Sequence, residues 1–209
     1  MTPVGSGLLG ADEAVNGRPA SLALSRVRFP TRSLVSGAVS FDSLRFRQVL
    51  GHFPTGVTVV TGLVPPPPGS GDPPTPSGLT IGSFTSVSLD PPLVGFLPAF
   101  TSDSWREIGP SGTFCVNILN DEQIELCWRF AKESDDRFEG LDWTPAPATG
   151  CPILPDVGAW IDCTVEQTHD VGDHWFVVGR VQALDHTEPW LNPMVFFRGQ
   201  IGGYSSPAC

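Results

Sequence analysis

The sequence predicts a mainly β protein, a barrel with a few appended helices. Seven segments have the length and the β-branched or apolar composition of strands, and only three have helical spacing of apolar residues. The strand-like segments are also widely separated along the chain. Many separated strands with few helices are typical of a barrel to which helices are appended.

The first element follows a segment without regular structure. Residues 1–40 are rich in Gly, Ser, Ala and Pro and show no sustained period, which predicts a flexible N-terminal extension. The folded domain is predicted over residues 41–205. Its start, FDSLRFRQVLGHF, carries apolar residues near helical spacing, has Ser40 or Asp42 available as a cap, and ends before Pro54. One amphipathic helix is predicted here.

The remaining elements alternate between strands and loops. The segment TGVTVVTGLV predicts a strand, and residues 65–78, rich in Pro and Gly, predict a long exposed loop without regular structure. Further strands are predicted at residues 79–84, 93–97, 113–119, 159–169, 175–184 and 194–197. Two further helices are predicted at residues 104–108 and 122–130.

Charge and cysteine content limit the classes of partner and compartment. Twelve basic and 22 acidic residues give a net charge of −10, so nucleic acids and anionic membranes are not expected as partners. Five cysteines without a CxxC pair predict buried structural thiols, with Cys209 at the chain end, in a reducing compartment. No apolar run approaches the roughly 20 residues of a membrane span, and the start lacks a secretory pattern. We expect a soluble, cytoplasmic protein.

Most motifs of known chemistry are missing. The four histidines have no HExxH or CxxC companions, so no metal site is expected. The segment GSGDPPTPSG contains Gly-x-Gly, but prolines follow where the helix of a dinucleotide fingerprint should begin. The sequence also has no Walker loop and no G-x-S-x-G, so hydrolysis by a serine nucleophile is unsupported.

One hydroxyl-rich segment, SFTSVSLDPPLV at residues 83–94, separates two strand-like runs. Its hydroxyl and backbone N–H groups are suited to contact the carbonyl or phosphate oxygens of a bound redox cofactor. The same groups are equally suited to satisfy the backbone of a turn. The residues alone leave both interpretations open.

Five segments together carry a family resemblance. They are FRQVLGHFPTGVTVVT, GLTIGSFTSVSLDPPLVGF, SGTFCVNIL, RFAKESDDRFEGLDW and VEQTHDVGDHWFVVGRV. In this order and spacing the chain resembles the flavin reductase family, which has the FMN-binding split-barrel fold, over residues 41–204. The family contains the reductase components of two-component flavin monooxygenases. The resemblance implies a split β-barrel, a homodimer, and a flavin groove at the dimer interface.

The resemblance also implies a flavin site assembled from five segments of the chain. Ser83 to Ser86 would line the polar edge of the ring, where donors stabilise the charge of reduction. Thr101 and Ser102 would help to hold the phosphate. The candidate contacts are Pro54, Thr55, Gly56, Val57, Ser83, Phe84, Thr85, Ser86, Thr101, Ser102, Cys115, Val116, Asn117 and Arg198. Cys115, Val116 and Asn117 would act through backbone groups, and Arg198 would contact a phosphate or the dinucleotide.

The implied activity is hydride transfer from NADH or NADPH to FMN or FAD, which depends on distance and orientation and needs no general base. His174 corresponds to the family histidine near the nicotinamide. The reduced flavin would serve a partner monooxygenase. A tailoring enzyme that retains its flavin and a non-catalytic flavin-binding module are the alternatives. Gly82 replaces a frequent asparagine, Phe100 replaces a basic residue, and the proline-rich loop is longer than usual.

Overall fold

The computed structural model describes residues 42–132, 134, 137–187, 189 and 191–204. The chain divides into two units, Met1–Ser40 and Phe41–Cys209, and all described residues belong to the second. The predicted extension over residues 1–40 therefore lies outside the described residues, as do Phe41, residue 205 and Cys209. The predicted domain boundaries stay predictions.

The described chain contains three α-helices and twelve strands. The helices are α1 Ser43–Leu50, α2 Asp103–Ile108 and α3 Ile124–Ala131, and a short 3-10 turn Gly109–Ser111 follows α2. The strands are β1 Thr55–Gly56, β2 Thr58–Val64, β3 Thr75–Ile81, β4 Thr85–Leu89, β5 Pro92–Phe96, β6 Thr113–Ile118, β7 Thr144–Pro145, β8 Pro152–Ile153, β9 Ala159–Val171, β10 His174–His186, β11 Met194–Phe197 and β12 Gln200–Gly203.

Seven strands form the main sheet, in the order β3-β2-β6-β9-β10-β5-β4, and every neighbouring pair is antiparallel. A smaller sheet has the order β1-β11-β12, and β7 pairs with β8. The long hairpin of β9 and β10 lies near the middle of the main sheet. The prediction of a mainly β fold with few helices is confirmed.

Apolar residues are buried on both faces of β2. Val60 packs in a cluster with Phe96 and Phe114, whose ring centroids lie 5.2 Å apart in an edge-to-face arrangement. The neighbouring Val59 points the other way, into a cluster that includes Phe130 and Met194. Successive side chains of a strand point to opposite faces, so the continuous β-branched run of β2 is covered on both sides.

Buried polar groups are satisfied inside this core. The Asp162 side chain is fully buried, and its carboxylate accepts hydrogen bonds from the backbone N–H groups of Ala148 and Thr149 at 2.9 and 3.1 Å. The Thr149 hydroxyl donates to the other carboxylate oxygen. Among the described residues no buried side-chain nitrogen or oxygen lacks a hydrogen-bond partner. This pairing offsets the cost of burying the carboxylate.

Several segments differ from the sequence-based predictions, among them the two-residue strands β7 and β8, which were not predicted. Thr75 begins β3 inside the predicted irregular loop and pairs with Val64 of β2. Because β3 lies at the edge of the sheet, only one side of its backbone is paired, and Pro76 is accommodated there. Thr85–Leu89 forms β4 where no strand was predicted, since its polar residues pair with β5. The glycine-rich β12 has few side chains to reveal it and was missed.

The structure also shows the state of the described cysteines and the lengths of the described helices. Cys115, Cys127, Cys151 and Cys163 are buried and free, which confirms the prediction of structural thiols for the described cysteines. None of the helices within the described ranges is both long and apolar enough to cross a bilayer.

Candidate active site

The turn between β3 and β4 ties two strand ends together. Leu97 donates its backbone N–H to the Ser83 hydroxyl oxygen at 3.0 Å, and the hydroxyl lies 3.3 Å from the Leu97 carbonyl. Ser83, Thr85 and Ser86 are nevertheless exposed, and Phe84 is half-buried. The segment therefore supports its own backbone and still presents hydroxyl groups at the surface. The two interpretations of this segment are compatible with each other.

The Pro54–Val57 segment reaches the same place on the surface. A Cβ on Gly82 would lie 3.3 Å from the Thr55 hydroxyl oxygen, so the chains approach closely here. Pro54 and Gly56 are exposed, whereas Val57 is buried in the core. A glycine at position 82 thus leaves the Thr55 hydroxyl accessible beside the turn.

A third segment, residues 97–100, forms a strap between the turn and the tip of the β9–β10 hairpin. Trp175 donates its backbone N–H to the Pro98 carbonyl, and Phe100 donates to the Asp173 carbonyl, both at 3.0 Å. The Phe100 and Trp175 rings lie 4.7 Å apart, edge to face. These bonds hold the half-buried His174 next to the strap.

The site therefore has a rim, which we define as Thr55, Ser83, the strap and His174. Four separate segments of the chain contribute to it. The N–H of Ser102 donates to the Ala99 carbonyl at 2.9 Å, which joins the start of α2 to the strap. The Ser102 hydroxyl oxygen caps α2 by accepting from the Trp105 N–H at 3.3 Å, and Thr101 beside it is exposed. The Ser102 O–H stays available as a donor.

Arg137 is a cation that the sequence analysis assigned no role. Its Nη1 donates to the Ser104 hydroxyl in the first turn of α2 at 2.6 Å, and Nε and Nη2 donate to the Lys132 carbonyl at 2.9 and 2.7 Å. A guanidinium has five N–H groups, so this arrangement leaves two of them for a ligand. The sequence analysis included Arg137 only as part of the segment RFAKESDDRFEGLDW. Its contact with Ser104 of α2 was not predicted, because the two residues are 33 positions apart in the sequence.

Cys115, Val116 and Asn117 do not reach the rim. All three are fully buried in β6, which pairs with β2 on one side and β9 on the other. Burial, chiefly by desolvation, raises the pKa of the Cys115 thiol and keeps it protonated. The Asn117 side chain is held by four hydrogen bonds inside the protein. Their contact with a flavin stays a prediction, and this burial does not favour it.

Arg198 occupies the tight turn between β11 and β12. Its φ of 51° is in the left-handed region, and Gly199 follows at 80°. The Arg198 N–H donates to the Gly51 carbonyl at the end of α1, at 3.1 Å. The side chain is exposed on this turn, and its predicted contact with a phosphate or dinucleotide remains untested.

The groups at the rim are suited to binding and orienting a ligand. They supply hydroxyl donors, an aromatic pair and one imidazole, and a guanidinium lies next to the first turn of α2. Within the described ranges no three His, Cys, Asp or Glu side chains come together to hold a metal ion. Donors of this kind fit the carbonyl-rich edge and the phosphate of a flavin nucleotide.

Comparison with known proteins agrees with this chemistry. The family model "Flavin reductase like domain" matches residues 50–205. The chain is 46% identical over 166 residues to the reductase subunit HsaB of a flavin-dependent monooxygenase from Rhodococcus jostii, covering 79% of this chain and 80% of the relative. It is 44% identical over 167 residues to a flavin reductase from Pseudomonas putida, covering 80% and 93%.

Solved structures give the same result. Nitrilotriacetate monooxygenase component B from Mycobacterium thermoresistibile has a TM-score of 0.70 and 42% identity, covering 79% of this chain and 90% of that chain. The NADH:FAD oxidoreductase SgcE6 of Streptomyces globisporus, in complex with NAD and FAD fragments, has a TM-score of 0.71 and 32% identity, covering 80% and 96%. The predicted split-barrel fold is thereby confirmed. This chain belongs to the family of flavin reductase like domains.

Proposed function

We propose that this protein is an NAD(P)H-dependent flavin reductase that reduces FMN or FAD and supplies the reduced flavin to a partner monooxygenase. Its relatives include reductase subunits of flavin-dependent monooxygenases and an FMN reductase that uses NADH. The observation that carries the proposal is the rim itself, where Ser83, the strap and His174 meet. The four described cysteines are free thiols, which agrees with a reducing compartment such as the cytoplasm.

Each part of the rim has a separate task in this proposal. A bound flavin supplies the two-electron acceptor, and the nicotinamide dinucleotide supplies the hydride. Beside the rim, Ser86 offers a hydroxyl donor, and such donors stabilise negative charge at a carbonyl-rich ring edge. The Ser83 and Thr85 hydroxyls donate to the Leu97 and Ser86 carbonyls at 3.3 and 3.2 Å, and they reach a ligand only by rotating away from these carbonyls. His174 orients the dinucleotide from the tip of the hairpin. No residue needs to act as a general base, because hydride transfer depends on distance and orientation.

Steady-state oxidation of NADH and of NADPH, with FMN or FAD added in increasing amounts, tests this function. We expect the rate to rise with free flavin and to saturate. A tightly retained yellow cofactor that does not react with NADH would instead indicate a tailoring enzyme acting on an organic substrate. A protein that binds flavin but shows no turnover with either nucleotide would indicate a binding module. Either result contradicts the proposal.

The phosphate end of the flavin has its own test. We propose that Arg137, together with Thr101 and Ser102, holds the flavin phosphate. A charge-assisted hydrogen bond contributes about 1.5–3 kcal/mol, so Arg137→Met should weaken FMN binding by roughly 10- to 100-fold. Riboflavin lacks the phosphate and should bind the variant as it binds the wild type. Equal losses for both ligands would contradict the assignment. The matched control is Arg180→Met, which removes a half-buried arginine of β10 that pairs with Glu166.

A second copy of the chain is the proposed occupant of the α1 surface. No residue of α1 is buried, and the apolar Leu50 and Phe53 are 54% and 74% exposed. Leu44, Phe46 and Val49 are exposed as well. A short helix that buries nothing gains little stability alone, and contiguous apolar surface indicates an interface. Because α1 leads directly into Pro54, a partner at this surface would lie next to the rim.

The oligomeric state tests this part of the proposal. Light scattering after gel filtration should give the mass of a dimer for the wild type. Phe53→Glu should produce a monomer and weaken flavin binding, because it introduces a charge into the contact. Gln48→Glu, within α1, adds the same charge outside the apolar residues and should remain dimeric. A monomeric wild-type protein that reduces flavin at full rate would contradict the proposed dimer.

A further inference from the structure

The tip of the β9–β10 hairpin brings a carboxylate against the imidazole of the site. Val171 pairs with His174, so Gly172 and Asp173 form a two-residue turn. Gly172 has a φ of 64°, and glycine at the first central position is typical of a type II′ hairpin turn. This turn places the Asp173 side chain directly before the first residue of β10.

The backbone on both sides of this pair is fixed. Phe100 donates its N–H to the Asp173 carbonyl at 3.0 Å, and Ala99 forms an antiparallel bridge with His174. On the far side, Trp175 donates to the Pro98 carbonyl at 3.0 Å. The strap thus holds the backbone of Asp173 and His174 in place. The direction in which the imidazole points is then determined by the side-chain torsions of His174.

The hydrogen bond between the two side chains determines the proton position. Nδ1 of His174 lies 2.6 Å from Oδ1 of Asp173. An ionised carboxylate only accepts hydrogen bonds, so Nδ1 carries the proton and donates it. The same bond lowers the pKa of the Asp173 carboxyl below its ordinary value, in agreement with an ionised partner. In the neutral ring Nε2 is then left with a lone pair, as an acceptor.

We propose that Asp173 is a positioning residue that fixes the tautomer and orientation of His174, so that Nε2 accepts a hydrogen bond from the carboxamide N–H of the nicotinamide. This inference rests on the proposed function for its ligand. The assignment of the His174 tautomer does not depend on the proposed function, because the tautomer is a property of the protein alone. The group recognised is a primary amide donor, which distinguishes nicotinamide from analogues without an N–H at that position.

The first experiment measures the tautomer directly. Nitrogen-15 NMR of the histidine side chains in flavin-free protein should show His174 protonated at Nδ1. Asp173→Ala should shift it towards the Nε2–H form, because the acceptor at Nδ1 is lost. Asp173→Asn keeps a carbonyl oxygen there and should largely preserve the Nδ1–H form. Asp170→Ala removes an exposed carboxylate from the same hairpin and should change nothing. An unchanged tautomer in Asp173→Ala would overturn the proposal.

The second experiment measures recognition of the carboxamide. The KM for NADH should rise in Asp173→Ala by about 3- to 10-fold, the equivalent of one ordinary hydrogen bond, with kcat less affected. The wild type should prefer NADH over the reduced acetylpyridine analogue, which has no amide N–H, and Asp173→Ala should lose this preference. His174→Ala in the Asp173→Ala background should add no further loss, because the two residues act as one unit.

The outcomes separate this inference from the proposed function. A shifted tautomer with unchanged KM values for NADH and its analogue would overturn the role in recognition while NADH-dependent flavin reduction persists. Additive losses in the double variant would also overturn it. A wild-type protein that does not oxidise NADH would refute the proposed function, and the NMR measurement would still decide whether Asp173 fixes the imidazole.

Discussion

The substitution Asn117→Ala tests whether the Asn117 side chain stabilises the core or belongs to the flavin site. Nδ2 of Asn117 lies 3.0 Å from the Thr61 hydroxyl, and 3.2 and 3.3 Å from the carbonyls of Val59 and Pro152. Its Oδ1 accepts from the Leu154 N–H at 2.8 Å. The residue is fully buried. These four contacts join β2, β6 and the chain around β8.

The expected loss follows from the groups that the substitution leaves unpaired. The Leu154 N–H would be buried without an acceptor, which costs about 1–3 kcal/mol. Loss of the weaker contacts to the three oxygens adds about 1 kcal/mol, since each oxygen can find partial compensation. We expect the free energy of unfolding to fall by about 3 kcal/mol, which lowers the thermal midpoint by about 6–12 °C in a domain of this size.

Denaturant unfolding followed by circular dichroism measures this loss. Asn192→Ala makes the same chemical change at an exposed position and should alter stability by less than about 0.5 kcal/mol. Flavin affinity of the folded Asn117→Ala protein should match the wild type. A loss below about 1 kcal/mol would refute the structural reasoning. Weakened flavin binding at normal stability would show that the Asn117 side chain contacts the flavin.

Three further predictions concern packing, strain and pH. A Cβ on Gly179 would lie 2.3 Å from Phe114 Cζ, so Gly179→Ala should destabilise the core by about 2–3 kcal/mol, and an unchanged thermal midpoint would contradict this packing. Because Arg198 has a φ of 51°, Arg198→Gly should be more stable than Arg198→Ala by about 1 kcal/mol, whereas equal stabilities would argue against strain. Hydrogen bonds from Arg180 lower the pKa of Glu166, so its contribution to stability is present above the ordinary pKa of about 4.3 and is lost as the pH falls below it. The stability difference between wild type and Arg180→Met should therefore shrink in acid titrations, and a constant difference would contradict the linkage.

Local signals made much of the fold predictable. The predicted bounds of β11 match the structure. Asp42, one of the two predicted cap residues, caps α1, with its carboxylate accepting from the Leu44 N–H at 3.0 Å. Both features are set by residues within a few positions of each other. The family resemblance was also visible, because it depends on the order and spacing of short motifs. Composition and spacing are properties of the chain itself.

Segments with weak side-chain signals were harder to predict. Residues 75–78, the first part of β3, were predicted as loop because of Pro76, since proline is tolerated in a strand only where one side of the backbone is unpaired. The strand predicted at residues 79–84 overlaps the rest of β3. The hydroxyl-rich β4 was not predicted as a strand, because serine has a low strand tendency. Its pairing with β5 outweighs that tendency in the folded chain. In both cases the partner strand decides the conformation, and the partner cannot be read from the segment.

The sequence by itself determined the fold class, the free buried thiols and the family, because each depends on composition or on motifs in order along the chain. Only the tertiary structure decided which residues meet. It brought Arg137 to α2 across 33 positions and buried Asn117 against a carbonyl 58 positions away. It also joined Phe100 of the strap to the hairpin tip at Asp173. Contacts of this kind arise from strand register and packing, and these are properties of the folded chain as a whole.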